Sequence, residues 1–195
     1  MAEIELPDPE ELEEKKGKVF TRRVALVTAM FAVMLAITSL GGNNAMKEML
    51  LAAQEASNQW SYYQAKVIRE HLYRAEKIQL EALLVERGAS MKPEAREKID
   101  AMLKKMADEE VRYNAEKKEI EGEAKKFEHE RDVNRSKDPY FDYAEVLLQI
   151  AIVMASIAIL SGSRTVFYFS LVSAVMGSFL SLNGFLLAVR IPFLH

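Results

Sequence analysis

Three stretches of the chain carry no charge: Val24 to Leu40, Val146 to Gly162, and Thr165 to Val189. At about 1.5 Å of rise per residue, about 20 residues cross a hydrocarbon core of about 30 Å. The first stretch reaches that length once Thr21 and the glycines at 41 and 42 are included. The pattern predicts an all-α membrane protein with three transmembrane helices, at 21–42, 139–162 and 163–190. Between the first two lies a strongly charged insert, 43–138. Its positions Met49, Ala53, Ala56, Trp60, Tyr63 and Val67 alternate steps of four and three, which is one helical face. Farther on the stripe drifts to Ile68, Leu72, Ala75 and Ala82, as the face of a straight helix does.

Gly88 is placed as a helix stop and Pro93 as a fresh start, so the insert reads as a long antiparallel helical hairpin. On the return helix Ile99, Met106, Tyr113, Ile120 and Phe127 recur every seven residues. The positions expected to complete a coiled-coil seam are Met102, Glu109, Glu116 and Glu123, three of them acidic. Two helices of about 45 residues give a hairpin about 65 Å long. A seam only half apolar calls for partner helices, supplied by further copies of the chain.

Local signals set the expected boundaries. Gly41-Gly42-Asn43-Asn44 predicts a hinge or a helix restart, with asparagine as N-cap. Asp138-Pro139 reads as the start of the second span, followed by Tyr140, Phe141 and Tyr143 as an interfacial aromatic belt. Residues 1–20 form an acidic flexible tail and 191–195 a short one, with Arg190 and Pro192 closing the third span. The first apolar run begins after 23 residues and exceeds the about 7–15 of a signal peptide, so it reads as a retained anchor. Lys15, Lys16, Lys18, Arg22 and Arg23 precede it, whereas Lys47 stands alone at a comparable distance beyond. By the positive-inside rule the N-terminus is cytoplasmic and the hairpin outside. Basic residues before the second span favour the reverse, but long inserts translocate largely regardless of charge.

Composition narrows the chemistry. The 195 residues are half hydrophobic and 28% charged, an average over two unlike halves. A net charge of −3 gives no nucleic-acid footprint, and the absence of cysteine removes disulfides, thiolate metal sites and cysteine nucleophiles. The histidines are His71, His129 and His195, and the hairpin register holds the first two far apart. No Gly-rich phosphate loop follows a strand. We expect no catalytic, cofactor or metal site, and an enzyme is the weakest reading.

Polar residues in apolar surroundings are the remaining candidates. Asp142, Glu145 and Gln149 fall on one face of the second span, extended by Ser156 and Ser163. An ionisable group inside a span faces protein or water. Glu145 either bonds a neighbouring helix or joins an acidic ring around an oligomer axis, which would favour cations. Ser173, Gly177, Ser181, Gly184 and Ala188 form a small-residue stripe on the third span, and Ala25, Ala29, Ala32, Ala36 and Ser39 one on the first. Both are expected packing faces, within the subunit or between copies. Folding the hairpin near residue 90 sets Trp60 opposite Ile120 and Gly122, as though the glycine made room for the indole. Trp60, Tyr63, Gln64 and Gly122 are the expected packing or recognition layer, with Tyr62, Gln64 and Lys66 pointing away from the inward stripe.

Asn58-Gln59-Trp60-Ser61-Tyr62-Tyr63-Gln64-Ala65-Lys66 is the most distinctive string. With the charged tail, early span, long insert and two closing spans, it resembles a bacterial membrane-protein family, domain-of-unknown-function family 4337. The resemblance covers most of the chain. It implies a protein of the bacterial inner membrane with this layout, and it brings no activity. Two functions stand as expectations. One is a homo-oligomeric scaffold or interaction protein that displays a charged helical stalk, partnered by the bilayer, its own copies and a protein that docks on the hairpin. The other is a cation-conducting pore or transport component built around Glu145, Asp142 and Gln149.

Overall fold

The computed structural model describes residues 9–189 and 191; expectations for the rest of both tails, Arg190 and Pro192 included, lie outside the described residues. Every element is helical, as the pattern predicts: α1 Pro9–Arg87, α2 Pro93–Ser161 and α3 Arg164–Leu186. Each contains a segment long and apolar enough to cross a membrane. Gly88 and Pro93 bracket the turn between α1 and α2, where the Gly88 amide donates to the Leu84 carbonyl.

Several expected boundaries are absent. α1 begins at Pro9, so most of the expected tail is helix; a proline in the first turn followed by glutamates suits a helix N-terminus. It then runs unbroken through Gly41-Gly42-Asn43-Asn44. α2 likewise runs through Asp138-Pro139. A proline removes one backbone donor, yet one missing bond does not end a helix held by its neighbours. α3 ends at Leu186 rather than near 190, because Leu187 turns left-handed with φ +47°.

Contacts divide the chain into two compact units, Met49–Asp132 and the combination of Met1–Glu48 with Val133–His195. The second of these has an apolar core of Val24 and Phe31 from α1, Leu148, Ala151 and Ala155 from α2, and Ala174 from α3. Along α1 the buried face is Val24, Phe31 and Thr38, whereas the small residues Ala25, Ala29, Ala32 and Ala36 are exposed. That stripe is therefore not a packing face within the subunit. The larger side chains fill the core because they make more van der Waals contacts with the neighbouring helices.

In Met49–Asp132 the expected α1 positions Met49, Ala53, Ala56, Trp60, Tyr63 and Val67 are all sheltered, and two rows run the length of the face: Ala52, Gln59, Lys66, Tyr73 and Leu80, and Ala56, Tyr63, Glu70, Lys77 and Leu84. Both rows step by seven, so the contact face does not drift to Ile68, Leu72, Ala75 and Ala82, all of which are exposed. A face that keeps one partner over many turns holds a 3.5-residue period, and a straight 3.6-residue helix would have rotated away by about 20° per heptad. On α2 the series Ile99, Met106, Tyr113, Ile120 and Phe127 is sheltered. Its companion row is Leu103, Glu110, Lys117 and Ala124; of the expected row, Glu109 and Glu116 are half-buried beside it, whereas Met102 and Glu123 are exposed.

Candidate functional site

Charge fills the middle of the Met49–Asp132 unit. Lys66 is 8% exposed and Glu70, one turn on, is 4% exposed. Lys66 Nζ donates to Glu116 Oε2, and Lys117 Nζ to Glu70 Oε2. Arg74 bonds Glu110 Oε1 at 2.9 Å and Glu70 Oε1 at 3.3 Å. Lys77 closes the chain at 3.7 Å from Glu110. Positive, negative and positive groups on one face of α1 thus meet their opposites on α2. Lys66 was expected to point away; instead its ammonium lies 5.1 Å from the Tyr62 ring centre and 5.2 Å from that of Tyr113. The aromatic faces and the carboxylate together replace water around the buried charge.

The hydrogen bond from Lys66 holds the Glu116 carboxyl below its usual range, and the same bond raises the Lys66 ammonium. Arg74 lowers the Glu110 carboxyl in the same way. Tyr73 stacks on Tyr113 with centroids 5.6 Å apart.

Trp60 and Tyr63 are half-buried and meet edge to face at 5.5 Å; Gln64 is exposed. The indole Nε1 donates to Glu128 Oε1 at 3.0 Å, well past the residue expected opposite it. Long helical side chains lean toward their own N-terminus, so the indole makes its contact displaced along the helix from the level of its own Cα. Gly122 is exposed, and a Cβ there would meet nothing within 4 Å. The glycine makes no room for Trp60, and that expectation is overturned.

In the other unit, the ring of Phe141 is framed by glycines. A Cβ on Gly41 would stand 2.7 Å from Phe141 Cε1 and 2.5 Å from Phe185 Cζ. A Cβ on Gly42 or on Gly184 would likewise stand 3.1 Å from Phe141. The two glycines expected to hinge α1 are thus a notch for an aromatic ring. Tyr140 and Phe141 are 1% and 2% exposed, so of the expected belt only Tyr143 lies on the surface. Tyr140 Oη donates to the Val189 carbonyl at 3.2 Å and accepts from the Ile191 amide at 3.0 Å. Asn183 brackets Val189 through both amide atoms, at 2.7 and 2.9 Å. Sequence reasoning missed Asn183; its one signal is an amide within an apolar run.

The polar trio of α2 divides. Asp142 and Gln149 are exposed, whereas Glu145 is half-buried beside α1, its Oε1 3.9 Å from where a Gly42 Cβ would be. On α3, Ser173 donates to the Leu147 carbonyl at 2.7 Å, and a Cβ on Gly177 would sit 3.0 Å from the Ala144 carbonyl oxygen. Ser181 and Thr38 share a buried hydroxyl bond at 2.8 Å. Ala188 lies past the end of the helix.

These features define an all-helical protein with three helices able, by length and composition, to cross a membrane, and with an ion-paired extension of two of them. A family model described as a domain of unknown function, DUF4337, matches residues 20–187, and the chain belongs to that family. No curated protein and no solved structure matches it.

Proposed function

We propose that the protein is an integral membrane scaffold, anchored by three spans as a homo-oligomer, that presents residues 43–138 as an antiparallel, coiled-coil-like stalk. The observation that carries this reading is the interior of Met49–Asp132, whose facing residues are committed to one another by ion pairs and ring contacts. Such an interior holds a rod in register and leaves its outer faces for recognition. Partner numbers on α2 fall from 128 to 110 as those on α1 rise from 60 to 74, the order an antiparallel hairpin requires. Self-association draws support from the exposed Ala25, Ala29, Ala32 and Ala36, since small residues let spans approach closely. The bacterial inner membrane is its location, with the N-terminus cytoplasmic and the stalk outside, a direction supported by Lys18, Arg22 and Arg23 ahead of the first span.

The native mass of the full chain in detergent tests this, together with oxidative crosslinking of Ala32→Cys in membranes. An oligomeric mass and a disulfide-linked dimer are expected; a monomer with no crosslink overturns the reading. Exposed Asp142 and Gln149 favour a second reading, a cation-conducting pore lined by that face, with Glu145 turned toward its own α1. Asp142→Asn should then change cation selectivity in liposome flux. Flux that is absent, or indifferent to the substitution, removes it.

A further inference from the structure

The side of α1 turned away from α2 has a period of its own. Ser61, Ala65, Ile68, Leu72, Ala75 and Gln79 follow one another by steps of four and three, all exposed and none charged. Asn58 and Ala82 extend the series at its ends. Ile68 and Leu72 at its centre are 60% and 58% exposed. In a segment so rich in lysine, arginine and glutamate, about five turns of an uncharged stripe centred on two large aliphatic residues is a seam without its partner.

We infer that this face is a second coiled-coil seam, closed by the same face of a second copy lying parallel and in register. The inference rests on the oligomeric membrane reading and adds to it where the copies meet outside the bilayer. Step order fixes the heptad frame: Asn58, Ala65, Leu72 and Gln79 are a positions, and Ser61, Ile68, Ala75 and Ala82 are d positions. The flanking g and e positions then select the occupant. In a parallel pair each g residue meets the e residue five places on in its partner, which sets Gln64 against Arg69, His71 against Glu76, and Ile78 against Leu83. No like charges meet, each charged residue faces a neutral polar one, and the third pair is apolar. Copies inserted in one bilayer with the same topology also have parallel α1 helices. Asparagine and glutamine at a positions cost stability but favour a single register, since each amide finds its match only in the aligned copy.

The absence of cysteine makes the test direct. Single variants Ala65→Cys, Leu72→Cys and Ala82→Cys of the full chain are oxidised in native membranes, with Lys104→Cys, exposed on α2, as control. All three seam variants should give a homodimer as the main product, and the control only background. Gln64→Lys, which sets like charges opposite Arg69, should reduce the Leu72→Cys dimer severalfold, and adding Arg69→Glu should restore it. If Ala32→Cys crosslinks and the native mass is oligomeric but the seam variants stay single, the inference fails while the oligomer stands. Crosslinking only between Ala65→Cys and Gln79→Cys would mean antiparallel copies and overturn it. So would capture of a different protein at these positions. A monomeric mass would remove both readings.

Discussion

Glu70 shows at the scale of one residue how this protein tolerates buried charge. Its carboxylate accepts from Lys117 and from Arg74, so neither cation is left without a partner. Glu70→Ala should destabilise the Met49–Asp132 unit by about 1–3 kcal/mol, between the exposed and buried limits for an ion pair. Reversing both charges, Glu70→Lys with Lys117→Glu, should recover part of that loss in thermal melts, and no recovery would mean the pair is not coupled. Glycines give a second contrast. Gly41→Ala forces a methyl into Phe141 and Phe185 and should cost about 1–3 kcal/mol. Gly122→Ala meets nothing and should gain about 0.5–1 kcal/mol from helix propensity. A Gly122 variant that melts lower would restore the expectation from the sequence.

Among elements, α1 is the clearest case of packing overriding local preference. Two glycines weaken a helix by about 1 kcal/mol each relative to alanine. Here their missing side chains admit an aromatic ring that is almost wholly buried, and that burial offsets the weakness. The end of α3 is held differently, by the Tyr140 hydroxyl and the Asn183 amide on Val189 and Ile191. Tyr140→Phe keeps the ring and loses both bonds. It should cost about 1–2 kcal/mol and speed hydrogen exchange of the Ile191 amide, with the amides of the α3 midsection unchanged. Equal exchange before and after would show that the hydroxyl does not fix the segment.

Over the whole molecule, the two units differ in what they shelter, one an apolar core and the other apolar rows interleaved with paired charge. Their responses to pH should separate. Glu110 and Glu116 have carboxyls lowered by Arg74 and Lys66, so their contribution is complete above the unfolded value of about 4.3 and lost as pH falls through the lower folded values. Lys66 is raised by Glu116, so its contribution is complete below about 10.4 and is lost as pH rises through the higher folded value. Acid should therefore loosen Met49–Asp132 first, read by hydrogen exchange on the detergent-solubilised chain. Simultaneous loosening of both units would contradict this division.

The sequence by itself determined the helical class, the three membrane-length segments, the turn between Gly88 and Pro93, and the seven-residue series from Ile99 to Phe127. These follow from composition and period, which each residue carries with it. The α1 stripe holds from Met49 to Val67, and beyond it the expected drift fails, because a 3.6- and a 3.5-residue period differ little over a few turns and only a partner fixes which one holds. Lys66 and Glu70 look like solvated surface until Glu116 and Lys117 stand opposite them. Gly41 and Gly42 look like a hinge until Phe141 fills the space. The polar trio on α2 shares a face by spacing, yet only neighbouring α1 decides that Glu145 is half-buried while Asp142 and Gln149 stay exposed. In each case the deciding group lies tens of residues away along the chain, and local pattern contains no term for a neighbour that folding alone brings near.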